Sequence, residues 1–75
     1  VPRTPEENAQ LRVFGANVRR ERVAKGLTQA RLAELVDLSL RHMQEIEAGD
    51  TNMLVTTFVR IRRALRCSAD QLLPK

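Results

Sequence analysis

Seventy-five residues, 43% hydrophobic and 29% charged, suffice for one small domain whose thin core leaves no apolar position to spare. A net charge of +4 favours a polyanionic partner modestly, and two Phe with no Trp or Tyr leave little material for stacking on single-stranded bases. One Cys and one His build neither an internal disulfide nor a zinc site, and no apolar run approaches the ~18 residues of a membrane span or opens the chain as a signal peptide. The charge is unevenly spread: residues 1–31 carry +4, residues 32–57 carry −4, and residues 58–75 return to +4.

No stretch alternates apolar and polar residues long enough for a strand, so the expected class is all-α. Thr4-Pro5-Glu6-Glu7 is a helix start: a capping hydroxyl, Pro at the first helical position, and acids against the positive end of the dipole. Leu11, Phe14 and Val18 form one stripe of a first helix ending near Lys25-Gly26, with Arg22 on the continuation of that stripe. Thr28 caps a second helix, with Arg31 where a capping box would place Glu, and Leu32, Ala33 and Val36 inward. Asp37 marks a turn, and Ser39 caps a third helix that stops at Ala48-Gly49. A fourth helix is expected over Leu54 to Arg66 with Val55, Phe58, Ile61 and Leu65 inward. Ser68 caps a short fifth, Ala69 to Leu73, stopped by Pro74. Residues 1–4 and 74–75 read as tails of a single domain spanning 1–75.

The break between the second and third helices carries the functional argument. At about 100° per residue, Met43 and Ile46 point inward from the third helix. Arg41, Gln44, Glu45 and Ala48 fall on the opposite face, flanked by Leu40 and His42. Two short helices joined by a tight turn, the second showing polar side chains near its start, describe a helix-turn-helix over about 28–48. Its second helix enters the major groove of duplex DNA, and the break sets the angle at which it protrudes.

At this point Phe14-Gly15, Val18-Arg19, Gly26-Leu27-Thr28-Gln29, Leu32-Ala33, Leu38-Ser39, Ile46-Glu47 and Gly49 resemble the lambda-repressor-like helix-turn-helix family, also called the XRE or Cro/repressor family. Phe58, Ile61, Ala64-Leu65 and Ser68 through Leu73 resemble its fourth and fifth helices, so the likeness covers roughly residues 11–73. It implies a compact five-helix domain, usually a homodimer, that binds operator-like duplex DNA as a transcriptional regulator. Carried over by position, it places Leu40, Arg41, Gln44 and Glu45 at base-reading positions. Thr28 and Gln29 at the start of the second helix, Ser39, and the loop of Thr51 and Asn52 would touch the DNA backbone. Arg22 and Glu47 match a family pair that forms an internal salt bridge.

Chemistry narrows some of these roles. Arg reaches guanine O6 and N7 bidentately, a pairing worth ~1–3 kcal/mol of discrimination, which makes Arg41 the leading base contact. Gln44 suits adenine or a phosphate. Glu45 either accepts from cytosine N4 or else screens wrong sequences and pairs with Arg41 in the free protein. Leu40 meets a thymine methyl or is simply an exposed apolar group, and His42 reads as a flank residue rather than a pH sensor. Departures from the family pattern are Asp37 where Gly is usual, a loop after Gly49 without the basic residues and Pro often found there, Glu21 for an apolar residue, and Arg62 for a small one. Glu21 and Arg62 are expected to compensate each other across the contact of the first and fourth helices.

No nucleophile–base pair, paired acid site or phosphate-cradling Gly loop is present, so neither catalysis nor a cofactor is expected. The expected function is sequence-specific double-stranded DNA binding by a cytoplasmic, repressor-type homodimer on an operator with inverted-repeat half-sites. Its dimer contact is expected at the end of the fourth helix and the fifth, where Leu72 and Leu73 exceed what a thin core needs; Leu35 and Leu54 are further apolar candidates. The rival is an antitoxin-like protein-interaction module whose acidic central block docks a protein. A membrane-surface role fits poorly, because the core already requires the apolar face of the first helix.

Overall fold

In the computed structural model, which describes residues 2–75, the chain forms five helices. They are α1 (Pro5–Ala24), α2 (Gln29–Leu35), α3 (Leu40–Ala48), α4 (Val55–Leu65) and α5 (Ala69–Leu72). Local chemistry sets most of their ends. Thr4 Oγ1 accepts from the Glu7 amide at 3.1 Å, and the Glu7 carboxylate accepts from the Thr4 amide at 2.8 Å, a reciprocal box ahead of Pro5. Those hydrogen bonds to Thr4 hold the Glu7 carboxyl below its ordinary pKa. Gly26, at φ 72°, ends α1 in the left-handed conformation.

The Thr28 hydroxyl accepts from the Arg31 amide at 3.0 Å to start α2, and the Ser39 hydroxyl accepts from the His42 amide at 3.0 Å to start α3. Between them Asp37 adopts φ 59°, and the Leu38 amide donates back to the Ala33 carbonyl at 2.9 Å, which closes the tight turn. Gly49 at φ 79° ends α3.

The core joins all five helices: Phe14 and Val18 from α1, Leu32 and Ala33 from α2, Val36 from the turn, Met43 and Ile46 from α3, Ile61 and Leu65 from α4, and Cys67 and Leu72 around α5. Burial pushes the Cys67 thiol above its ordinary pKa. The Phe14 and Phe58 rings pack with centroids 5.9 Å apart at a 44° tilt.

Four expectations need correction. Val55 is 77% exposed, not inward. The buried stripe of α4 runs through Thr57, Ile61 and Leu65, and Val55 lies about 120° around the helix from Ile61. The helix itself is shorter than expected, with Leu54 and Arg66 as its caps, and α5 ends at Leu72 because Leu73 is already extended. Leu72 is fully buried in its own core, so of the two leucines only Leu73 offers apolar surface. Finally, no ion pair joins Glu21 to Arg62. Neighbours on α1 neutralise Glu21, Arg20 at 3.3 Å and Lys25 one turn on at 3.6 Å, while Arg62 reaches the Cys67 carbonyl at 3.5 Å.

Candidate nucleic-acid interface

Three features clamp the end of α3 onto α1. Gly15 lies where any side chain would collide with backbone: a Cβ there would fall against the Ile46 carbonyl and 2.5 Å from the Glu47 oxygen. At the cap that ends α3, a Cβ at Gly49 would lie 2.7 Å from the Arg12 Cα. Between these contacts Arg22 Nε donates to Glu47 Oε2 at 2.7 Å and Nη2 to Glu47 Oε1 at 3.1 Å, while Nη1 donates to the Leu27 carbonyl at 2.8 Å. The two side chains are only 11% and 4% exposed, so a forked guanidinium with a partner on each of its three nitrogens sits on the apolar stripe of α1 without an orphaned charge.

Gln29 belongs to the same cluster. Its amide nitrogen donates to Glu47 Oε1 at 2.9 Å, which leaves one amide hydrogen unengaged on a half-buried side chain at the start of α2. Thr28 and Ser39, the other candidate backbone contacts on the two helix starts, are exposed and already accept the capping bonds described above.

The outer face of α3 is the opposite environment. Arg41 and Gln44 are exposed, Leu40 is 45% exposed, and Glu45 and His42 are half-buried. Among the described residues no carboxylate pairs with Arg41, so the Arg41–Glu45 pair considered as an alternative role for Glu45 does not form. Among the described residues the side chains of Arg41, Gln44 and Glu45 make no hydrogen bond. Met43 and Ile46, fully buried beneath them, hold the helix by its inner face alone. The result is a rigid rod with a free polar flank, the shape needed to present donors and acceptors to base edges.

The loop after α3 follows its Gly49 cap. Thr51 is half-buried, with its hydroxyl donating to the Asn52 carbonyl at 3.3 Å, and Asn52 is exposed at the rim of an apolar cleft beside α4. No hydrogen bond joins Thr51 or Asn52 to Leu40, Arg41, Gln44 or Glu45.

Two groups escape a reading of the sequence. Arg3, assigned to a tail, reaches the Asp50 carbonyl at 3.5 Å and so puts a cation at a loop that carries no basic residue of its own. Its partner is 47 positions away, so no local signal could have shown it. Asn17 and Arg20 of α1 donate to the Leu72 and Gln71 carbonyls at 2.9 and 2.8 Å, satisfying the C-terminal end of α5 across a similar span.

The geometry has close counterparts. Residues 18–72 match the family profile described as helix-turn-helix. The restriction-modification controller protein C.AhdI from Aeromonas hydrophila is 32% identical, with a TM-score of 0.82 over 87% of this chain and 98% of that one. The clp gene regulator ClgR from Corynebacterium glutamicum is 31% identical, with a TM-score of 0.80 over 84% of this chain and 68% of that one. A hypothetical transcription factor, NHTF from Neisseria, is 28% identical, with a TM-score of 0.82 over 99% and 85%. Among curated protein sequences none matches significantly.

Proposed function

Because the chain belongs to the helix-turn-helix family, of the lambda-repressor-like (XRE) type, we propose that it binds double-stranded DNA in a sequence-specific way and regulates transcription. One observation carries the reading: Arg41 and Gln44 stand exposed, with no partner among the described residues, on a helix whose other face is locked into the core. In this reading Arg41 contacts guanine, Gln44 and Leu40 read neighbouring positions, and Glu45 accepts from cytosine or rejects other bases. Thr28, Gln29 through its remaining amide hydrogen, Ser39, Thr51 and Asn52 hold phosphates, with Arg3 supplying charge near the loop. The Arg22–Glu47 pair stays internal and fixes the seating of α3.

The protein acts as a cytoplasmic repressor-type homodimer without catalytic chemistry, on half-sites about one helical turn, ~34 Å, apart. Because Leu72 is buried, the dimer contact proposed here lies at the start of α4 rather than at its expected end. Leu54 (72% exposed), Val55 and Leu73 line or rim an apolar cleft of about 490 Å³, and Val13 continues the apolar surface past Leu73. The alternative of a partner protein docking on the acidic centre has less to stand on. Of the five acids in residues 32–57, Glu47 is buried under Arg22 and Glu34 pairs with Arg31.

Selection from a random duplex pool at near-physiological salt tests the proposal. Recovery of an inverted repeat is expected, with log K falling against log salt by about 0.9 for each phosphate neutralised. Arg41→Ala should relax preference at one position of each half-site by ~1–3 kcal/mol. Enrichment of no sequence, or salt-insensitive binding to a protein instead, would overturn it.

A further inference from the structure

The buried pair and the candidate phosphate contact share one carboxylate. Glu47, on α3, accepts two bonds from Arg22 of α1, and its Oε1 also accepts from Gln29 Nε2 of α2 at 2.9 Å. Arg22 Nη1 in turn donates to the carbonyl of Leu27, just ahead of α2, at 2.8 Å. Three helices therefore meet at a carboxylate side chain that is only 4% exposed.

A carboxamide has a donor end and an acceptor end of nearly the same shape, and a phosphate can accept only from the donor end. A glutamine free to turn offers its oxygen as readily as its nitrogen, and the oxygen repels a phosphate. The contact with Glu47 removes that ambiguity. A carboxylate forked to a guanidinium accepts and does not donate, so only the amide nitrogen can face it. With one hydrogen of Nε2 on Glu47, the other projects away from it in the plane of the amide, and among the described residues it has no partner. Nor does Glu47 repel an anion as a bare carboxylate would, because Arg22 neutralises it at 2.7 and 3.1 Å.

We infer that Glu47 is a positioning residue for DNA binding: it turns the Gln29 carboxamide so that the nitrogen, and not the oxygen, meets a phosphate of the duplex. The inference rests on the DNA-binding reading above and gives the pair a second task beside the seating of α3. It also ties the backbone contact of α2 to base reading, since the group that orients Gln29 belongs to the same helix as Arg41 and Gln44. Arg22 stays with Glu47 and takes no phosphate.

The test uses a short mixed-sequence duplex, because a phosphate contact does not depend on sequence. Gln29→Ala should weaken binding about tenfold. The salt slope should not change, because a neutral amide releases no counterion. In Arg22→Leu/Glu47→Leu, where the amide has lost its orienting partner, adding Gln29→Ala should cost less than about twofold. A purely structural pair requires the same tenfold cost in both backgrounds, and that result would overturn the inference. So would a salt slope lowered by about 0.9 in the double-leucine chain itself, since Arg22 would then be the group on the phosphate.

Should the double-leucine chain fail to fold by circular dichroism, NMR of the unsubstituted protein still decides, with Gln29→Ala identifying the signals. One hydrogen of the Gln29 amide should resonate downfield of ordinary glutamine side chains before DNA is added. Duplex should then shift the other hydrogen and leave the first in place. Both hydrogens at ordinary positions in the free protein, or a first hydrogen that leaves Glu47 on adding duplex, would overturn the inference while DNA binding stands. A chain that binds no duplex at any salt would overturn the DNA-binding reading and this inference with it.

Discussion

The Arg22–Glu47 pair shows how a charge can belong in a core. Taking two ions out of water costs several kcal/mol each, and only good geometry with further hydrogen bonds to both groups returns it. Here the guanidinium makes a two-bond fork to the carboxylate, its third nitrogen donates to the Leu27 carbonyl, and Gln29 gives the carboxylate a second partner and a third hydrogen bond. Removing one member leaves the other nearly buried and uncompensated. Arg22→Ala should therefore lower the unfolding free energy by ~3–5 kcal/mol. Arg20→Ala, whose side chain is 58% exposed, should cost no more than ~1 kcal/mol. Urea denaturation of the two variants decides the matter, and equal midpoints would show that the buried pair carries no special weight. Arg22→Leu/Glu47→Leu should recover much of the loss, since both charges leave the interior together.

At the scale of elements, what positions α3 is close approach more than apolar area. Alanine in place of glycine inside a helix ordinarily gains about 1 kcal/mol. At Gly15 the added methyl would meet the Ile46 and Glu47 carbonyls, backbone atoms that cannot move without shifting α3. Overpacking costs ~1–3 kcal/mol, so the steric term should win. Gly15→Ala is expected to lower stability by ~1–2 kcal/mol, and it should weaken DNA binding beyond the stability loss because α3 is displaced. A variant of unchanged or higher melting temperature would mean that α1 and α3 are not clamped here. The exposed Val55 belongs to this scale too. The apolar residues of the first turn of α4 do not follow the face of the rest, so the helix reads as more amphipathic than its start really is.

For the whole molecule the question is which surfaces are left over. A small domain always leaves apolar atoms outside, but adjacent leucine and valine at 72% and 77% exposure beside an open cleft exceed what scattered exposure explains. Leu54→Ser/Val55→Ser removes that surface without touching a core residue. The unsubstituted chain should show a melting temperature that rises with protein concentration, as mass action demands of a dimer, and the double variant should lose most of that dependence. Its affinity for an inverted repeat should fall together with the loss of pairing, while a single half-site is bound as before. Identical concentration dependence in both proteins would place the dimer contact elsewhere.

The sequence by itself determined the helices and the turn between α2 and α3. Their signals are local: Thr4, Thr28 and Ser39 each bond an amide three residues on, and Gly26, Asp37 and Gly49 take left-handed backbone at the stops. It also determined the two faces of α3, because Met43 and Ile46 differ from Arg41 and Gln44 in a way that the helical period resolves. Only the tertiary structure decided which charges are neutralised and which apolar residues are covered. Leu72 went into the core, Asn17 and Arg20 reached the carbonyls that end α5, and Arg3 came to the Asp50 loop. Residues within a few positions of one another have little conformational freedom in their separation, so their contacts can be read from spacing. Whether a side chain is buried or paired depends on which atoms of a distant segment arrive opposite it, and those are selected by packing the whole chain at once.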